Sequence, residues 1–180
     1  DITINNADGV SILTTEGGND IDLDYVDAVD IETVGWSNTI DIRDADQVDI
    51  HNTYGSSAYQ DIDIAYADDV NITMHNLSSS TIDVYDADAV NITGTGSSGG
   101  HTTINLDAVE DVFAHLLSSG NRIDINATGD FLDDELTIDT DGMEEVTVEA
   151  TGWTVDIDTR GSSRDHVTAA GLYNSIYTYG

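Results

Sequence analysis

Cysteine, proline and lysine are all absent from this chain, and four arginines are its only permanently cationic side chains. Without cysteine the chain can form neither disulfide bonds nor thiolate metal sites. The four arginines face 36 aspartate and glutamate residues, which gives a formal net charge of −32 at pH 7. Such a charge disfavours nucleic acids and anionic membrane surfaces as partners and favours cations. Stability must therefore come from strand stacking, bound ions or assembly.

The sequence contains no apolar run that approaches the length of a membrane-spanning helix, which needs about 20 residues. It begins at Asp1, directly inside a repeat, and no signal-peptide pattern precedes that repeat. We therefore expect a processed chain or a part of a longer one.

Isoleucine and valine recur at fixed intervals, and the segment 82–104 (IDVYDADAVNITGTGSSGGHTTI) is the clearest repeat unit. The first isoleucines of successive units are Ile2, Ile21, Ile40, Ile62, Ile82, Ile104 and Ile123, at steps of 19, 19, 22, 20, 22 and 19 residues. In six units a valine follows eight residues later: Val10, Val29, Val48, Val70, Val90 and Val112. A period of this length is typical of a solenoid.

Each unit contains two short segments in which apolar and polar residues alternate. In the unit that begins at Ile82, the apolar positions are Ile82 and Val84, then Val90 and Ile92. Alternation of β-branched residues is typical of a strand with one buried face. We therefore predict an all-β fold, a parallel β-solenoid with roughly 20 residues per turn and with two strands and a bend in each turn.

The pattern predicts a single domain over residues 1–180 whose regularity changes along its length. Regular turns span 2–103, and 104–135 is irregular, most clearly from 107 onward. Within that segment five apolar residues have helical spacing, although a distorted pair of strands is the favoured interpretation. These residues are Val109, Val112, Phe113, Leu116 and Leu117.

A second repeat block follows over 136–160. In it, we expect 136–138 and 146–148 to form the two strands of one turn, with two extra residues in the bend. We also expect Trp153 to occupy the place that Trp36 has in the second turn. Residues 161–180 form a distinct tail.

Aspartate recurs between the two inward positions of the first strand. The residues at this position are Thr3, Asp22, Asp41, Asp63, Asp83, Asn105 and Asp124. We call Asp22, Asp41, Asp63 and Asp83 the Asp ladder, because stacked strands would place them about 4.8 Å apart, where each neighbouring pair repels by about 0.9 kcal/mol in water. Bridging divalent cations or dissolved salt could relieve this repulsion, or the carboxylates could simply be solvated.

A second acidic column follows the small or apolar residue at each bend. Its members are Asp8, Asp27, Asp46, Asp68, Asp88 and Glu110. An aspartate at a bend commonly accepts a hydrogen bond from a nearby backbone N–H, which is the alternative to direct Ca²⁺ ligation. One alanine separates Asp44 from Asp46 and Asp86 from Asp88, so each pair lies on one side of its bend. These pairs are the strongest ion-ligand candidates, and Asp68 of the same column is a further candidate.

Five tyrosines lie in or beside the bends: Tyr25, Tyr54, Tyr59, Tyr66 and Tyr85. They could form a stacking patch for a cell-surface polysaccharide or a neighbouring subunit. Alternatively, they cover the rim of the coil.

The tail contains two segments nine residues apart. Asp165, His166 and Val167 follow Gly161, and Asn174, Ser175 and Ile176 follow Gly171. This tail resembles a degenerate form of the RTX nonapeptide, whose parallel β-roll binds Ca²⁺ between successive turns. The longer units, such as ADAVNITGTGSSGGHTTINL, resemble the acidic, cysteine-free repeats of RTX-type surface-layer proteins and bacterial adhesins. The resemblance implies an extracellular protein that Ca²⁺ folds outside the cell, with Asp165 and Asn174 as further Ca²⁺ ligands.

These observations lead us to expect a structural protein rather than an enzyme, one that associates with copies of itself into a surface layer, fibre or adhesin stalk stabilised by calcium. A parallel β-helix enzyme acting on polysaccharides is one alternative, although it offers no lysine and its charge would repel uronate chains. The others are an ice- or sugar-binding module and a halophilic surface protein without specific ions.

Overall fold

The computed structural model describes residues 1–53, 59–75, 79–97, 100–119, 121–129 and 135–178. All regular secondary structure in these residues is β-strand. The strands are β1 (Ile2–Thr14), β2 (Asp20–Thr33), β3 (Asn38–Asn52), β4 (Gln60–Met74), β5 (Thr81–Ser97), β6 (His101–Ser119), β7 (Arg122–Thr128), β8 (Glu135–Asp141), β9 (Glu145–Thr151), β10 (Thr154–Asp158), β11 (Asp165–Ala170) and β12 (Tyr173–Tyr177). No helix within these ranges is long and apolar enough to cross a membrane.

The strands stack in parallel, each on the strand one turn earlier. One face follows the order β1-β2-β3-β4-β5-β6-β7-β9-β11. The second face consists of the later halves of β1 to β6, continued by β8, β10 and β12. We call each pair of first and second strands a rung; nine rungs make eight turns of coil. The predicted all-β parallel β-solenoid is therefore confirmed.

Alternate residues of every strand point into a narrow apolar core. Ile21, Ile40 and Ile62 stack on one another and are at most 1% exposed. Val48 and Val70 do the same on the second face. Burial of each such side chain contributes roughly 1.5–3 kcal/mol, and this repeated contribution outweighs the repulsion between outward acids.

Each of the strands β1 to β6 bends at the fourth residue after its first inward isoleucine. In six successive rungs the residue there has a φ between 52° and 62°: Asn6, Tyr25, Asp44, Tyr66, Asp86 and Ala108. The next residue, such as Ala45 or Ala87, then points inward and is buried. A left-handed residue is unusual outside glycine, asparagine and aspartate, so the tyrosines here are held by the stack around them.

The segment 104–119 is strand rather than helix, as the favoured interpretation predicted, because β6 pairs along its whole length with β5. Residues 120 and 130–134 of the irregular segment lie outside the described residues.

The predicted register of β7 on β6 is wrong by two residues. Ile125, not Ile123, stacks on Ile104, and Ile123 stacks on Thr102. Asp124 therefore falls outside the column of the Asp ladder, where Asn126 takes its place on Asn105. Both isoleucines keep an inward orientation, since a shift of two residues preserves which face a strand buries.

Two further expectations about the second repeat block are also wrong. The segments 136–138 and 146–148 are strands, but they do not form one turn. β8 is the second strand of the seventh rung and stacks on β6, whereas β9 is the first strand of the eighth and stacks on β7. The first strand of the seventh rung is therefore β7, and not the segment from residue 136 onward that the sequence pattern indicated.

The two tryptophans are not equivalent. Trp36 lies in the loop between β2 and β3, before a first strand, and it is 60% exposed. Trp153 lies at the bend between β9 and β10, and the N–H groups of Leu172 and Tyr173 donate to its carbonyl.

The tail forms the ninth rung. β11 stacks on β9 and β12 stacks on β10. Gly161 has a φ of 82°, and a side chain there would meet Asp141. A Cβ at Gly171 would approach the carbonyl oxygen of Gly152 to 2.5 Å. Close contact with the preceding turn therefore explains both tail glycines.

Polar side chains are buried at one corner of the interior, where the first strands of rungs two to four begin. Asn19, Asn38 and Gln60, here called the amide ladder, lie two residues before the first inward isoleucine of rungs two to four. The Nδ2 of Asn19 donates to the Oδ1 of Asn38 at 2.9 Å, and the Nδ2 of Asn38 donates to the Oε1 of Gln60 at 3.2 Å. Asn38 and Gln60 are each 1% exposed. Sequence reasoning missed this ladder, although the recurrence of an amide at one repeat position was its signal.

Candidate cation-binding columns

The Asp ladder lies on the outward side of the first strands. Strand pairing places Asp22 beside Asp41, Asp41 beside Asp63 and Asp63 beside Asp83. The parallel register thus gives an unbroken column of four carboxylates on the solvent side of the core isoleucines.

Basic and amide groups flank this column. The guanidinium of Arg43 contacts Asp41 at 3.2 Å. At the other end, the Nδ2 of Asn105 donates to the Oδ1 of Asp83 at 2.6 Å, and the Nδ2 of Asn126 donates to the Oδ1 of Asn105 at 2.8 Å. The column therefore continues as a hydrogen-bonded asparagine ladder in which amides replace carboxylates.

Asp124, which the sequence assigned to this column, lies elsewhere. It stacks on Thr103, and its Oδ2 lies 2.7 Å from the Nε2 of His101. Sequence reasoning missed Asn126 as the residue that replaces Asp124 in this column. The alternation of RIDINA was the signal, because it fits the stack in two registers.

The crowding of the ladder is visible at Asp63. Partial desolvation of its carboxyl group raises its pKa most, and the negative charges of Asp41 and Asp83 raise it further. Arg43 acts in the opposite direction and does not cancel these effects. The charged form of Asp63 is therefore disfavoured in the folded protein.

The bend acids form a second site. Asp44, Asp46, Asp68, Asp86 and Asp88 line one shallow groove of about 340 Å³, which we call the bend groove. Tyr66 also lines it, and its ring meets that of Tyr85 edge to face with centroids 5.6 Å apart. The structure thus brings the two predicted pairs and Asp68 together along three rungs.

A neighbouring groove of about 310 Å³ continues the same edge toward the first rung. It is lined by Asp8, Asp27 and Asp44, together with Asn6 and Tyr25. Of the other bend tyrosines, Tyr59 is 44% exposed, and Tyr54 lies outside the described residues.

The aspartates of the bend groove do not close the bends by hydrogen bonding. Asp46, Asp68 and Asp88 accept no hydrogen bond from the described residues, so closure of the bend rests on the left-handed residue rather than on an aspartate cap. Their oxygens are consequently open to water and to ions. Across the described ranges, however, no three acidic or imidazole side chains converge as a ready metal-binding group.

The structure does not bring the tail candidates Asp165 and Asn174 together. Asp165 occupies an inward position on Val146, and its Oδ2 accepts a hydrogen bond of 2.9 Å from the hydroxyl of Thr159. Asn174 occupies an inward position on Val155 at the other end of the rung, where its Nδ2 donates to the carbonyl of Gly171 at 3.2 Å.

Comparison of the chain with protein-family models, with curated proteins and with solved structures finds no match. The argument for function therefore depends on the fold and on the geometry of these acidic columns.

Proposed function

We propose that this chain is an extracellular structural protein of the RTX-like type, in which the solenoid serves as a rigid element of a surface layer, fibre or adhesin stalk. The role is structural rather than catalytic, and calcium stabilises the coil. Copies of the chain are its main partners.

The observation that carries this proposal is the stack of nine rungs with carboxylates repeated on its outer positions. Adjacent carboxylates about 4.8 Å apart repel by about 0.9 kcal/mol per pair in water. Desolvation raises the pKa of Asp63 most, and the repulsion from Asp41 and Asp83 raises it further. Each cation that lies between two rungs converts a repulsive pair into an attractive bridge, so cation binding and folding are coupled.

The bend groove is the site we assign to calcium. It offers only oxygen donors, from Asp44, Asp46, Asp68, Asp86 and Asp88, and hard divalent cations prefer oxygen ligands. Each ion is held by carboxylates of adjacent rungs, with water completing its coordination. In the Asp ladder, ions bridge neighbouring carboxylates in the same way.

Self-association follows from the edges of the stack. β11 and β12 have no further strand on one side within the described residues. Tyr173, Ile176 and Tyr177 of β12 and Leu172 just before it are exposed. Unpaired parallel edges with apolar side chains accept another strand, either from a second copy or from further residues of a longer chain.

The test is a titration of chelated protein with CaCl₂, and in parallel with NaCl at matched ionic strength. Far-UV circular dichroism reports folding and light scattering reports association. Folding and association with millimolar or lower Ca²⁺ that NaCl does not reproduce are the expected result. No response to Ca²⁺ beyond that to NaCl would overturn the calcium assignment.

A matched pair of triple variants locates the effect. Asp46→Asn, Asp68→Asn and Asp88→Asn together remove three bend charges, and Asp24→Asn, Asp30→Asn and Asp156→Asn remove three charges away from the bend groove. Only the first set should raise the Ca²⁺ concentration at the midpoint of the response. Equal effects of both sets would indicate general screening instead of a site.

A second candidate function is that of a halophilic surface protein without specific ions. It is favoured by the absence of a convergent three-ligand group from the described residues. On this alternative NaCl alone restores the fold, since the screening length falls to about 3 Å at 1 M salt.

A further inference from the structure

At one outward position of the second face, the side chain is polar in every rung except one. This position is occupied in successive rungs by Ser11, Asp30, Asp49, Asn71, Asn91, Phe113, Thr137, Asp156 and Ser175. Phe113 is the one apolar member, and it is 47% exposed. Leu117, which points outward from the same strand, is 38% exposed. The exposed ring offers a flat apolar surface among the polar residues of this column.

Phe113 borders a groove of about 370 Å³ that extends over four rungs, here called the second-face groove. The amides of Asn71 and Asn91 and the carboxylates of Asp69, Asp111 and Glu135 line it. Ala89 lies between Asp69 and Asp111 in the column next to these amides and leaves space there. The groove therefore combines one flat apolar surface with a row of planar polar groups.

The ring of Phe113 lies beside an imidazole that is paired with an aspartate of the next rung. The ring of His115 lies nearly parallel to that of Phe113, at 16° and with centroids 6.4 Å apart. The Nδ1 of His115 lies 2.9 Å from the Oδ2 of Asp139 on the next rung, which fixes the imidazole. A ring that is oriented before a ligand arrives loses less conformational entropy on binding.

We propose that the second-face groove binds an oligosaccharide of uncharged pyranose sugars. The apolar C–H face of a sugar ring packs on Phe113, and its hydroxyl groups exchange hydrogen bonds with Asn71, Asn91 and the carboxylates. These polar groups repeat with the rungs, about 4.8 Å apart, a spacing close to the advance of an extended pyranose chain per sugar. Four rungs thus accommodate a short run of consecutive sugars.

Charge selects among sugar classes. Asp69, Asp111 and Glu135 line the groove and no arginine does, so a uronate or sulfated chain is repelled. Binding depends on stacking and hydrogen bonds rather than on ion pairs, and it should respond weakly to salt. A lysine-rich peptide, the other ligand that such carboxylates attract, would instead lose affinity steeply as salt is added.

This inference is independent of the proposed structural function, because the second-face groove lies within one chain and shares no lining residue with the bend groove. Its failure and the failure of that proposal are therefore distinguishable. Sugar binding by monomeric, folded protein tests the groove, whereas the calcium titration tests the assembly.

The experiment is calorimetric titration and amide chemical-shift mapping with cellohexaose, mannohexaose and N-acetylated chitohexaose, and with polygalacturonate as the anionic probe. We expect at least one uncharged oligosaccharide to bind and to shift amides at 89–93 and 111–115, and polygalacturonate not to bind. Phe113→Ser should weaken that binding by about tenfold or more, while Phe113→Tyr should retain it. Leu13→Ser, which removes an exposed apolar side chain from another rung of the same face, is the matched control.

Circular dichroism and melting temperature verify that each variant is folded. The proposal is overturned if none of the uncharged oligosaccharides shifts these amides, or if Phe113→Ser binds them as tightly as the parent protein. Salt-sensitive binding of oligolysine at the same amides, without sugar binding, would also overturn it and assign the groove to a basic partner.

Discussion

The side-chain amide of Asn105 donates a hydrogen bond of 2.6 Å to the Oδ1 of Asp83, which holds the same position one rung earlier. The Asp ladder ends at this bond. An aspartate at position 105 would remove the donor and would add a fifth consecutive carboxylate to the column.

Asn105→Asp should therefore lower the free energy of unfolding by about 1–2 kcal/mol at low ionic strength, from the lost hydrogen bond and the added repulsion. Urea unfolding at low and high NaCl measures this. Asn105→Thr is the control, because it removes the amide without adding charge. The difference between the two variants should shrink in 1 M NaCl, where screening acts within about 3 Å. A difference that does not depend on salt would contradict the electrostatic interpretation.

Asp63 makes the stability depend on pH. Its folded-state pKa is raised above the ordinary value of 3.8 by desolvation and by Asp41 and Asp83. The folded state thus holds this proton to higher pH than the unfolded state does. Asp63 destabilises the fold least when the pH is below the ordinary pKa. As the pH rises through the folded-state pKa, the contribution of Asp63 to the free energy of unfolding decreases.

Asp63→Asn should accordingly stabilise the protein at neutral pH by on the order of 0.2–1 kcal/mol, the usual scale of one cross-strand contact. In acid below pH 3.8 the variant and the parent should have equal stability, because the parent carboxyl is then protonated. Urea unfolding across this pH range is the measurement. Asp156→Asn is the control, since Asp156 stacks between Thr137 and Ser175. Equal stabilisation by both variants would show that net charge, not the ladder, is responsible.

The sequence predicted the solenoid because its core columns repeat in composition as well as in spacing. Val48, Val70 and Val90 all stack as expected. The register failed where composition became ambiguous: Ile123 and Ile125 are both β-branched and both inward, and alternation cannot distinguish positions that differ by two residues. Only the pairing partners on β6 decide between them.

The candidate site was predictable to a similar extent. The spacing of Asp44 and Asp46 indicated that both acids lie on one side of the bend, and both line the bend groove. The cause of the bend was not predictable, because tyrosine is a poor residue for a left-handed conformation and yet Tyr25 and Tyr66 adopt it. The second-face groove was missed as well, since it depends on which residues of four rungs are adjacent.

The left-handed bend position offers a route to higher stability. Ala108 has a φ of 56°, a conformation that costs an alanine free energy and costs glycine none. Ala108→Gly should raise the free energy of unfolding by about 0.5–1 kcal/mol, an increase of about 1–4 °C in melting temperature for a chain of this size. Ala89→Gly is the matched control, because Ala89 is paired within the strand stack and glycine there should destabilise. If both glycine variants destabilise, the bend conformation is not what limits position 108.

Among the buried polar residues, Asn38 should be the one whose substitution lowers the free energy of unfolding most. Its Oδ1 accepts from Asn19, and its Nδ2 donates to Gln60 and to the carbonyl of Gly35. Asn38→Leu would remove the donor to the buried Oε1 of Gln60 and the acceptor from Asn19, at a cost of about 2–4 kcal/mol, because water is excluded from this corner. Urea unfolding measures the cost.

The comparison with Asn19 separates partner loss from simple loss of an amide. Asn19 is half-buried, lies at the open end of the amide ladder and satisfies one side chain, Asn38, so Asn19→Leu should cost less than half as much. Changing Asn19, Asn38 and Gln60 to leucine together removes donors and acceptors in pairs and should cost less than the sum of the three single changes, because no partner amide is then left unsatisfied. Additive costs would mean that each amide contributes on its own, and the ladder would then be a column of independent polar residues rather than a coupled network.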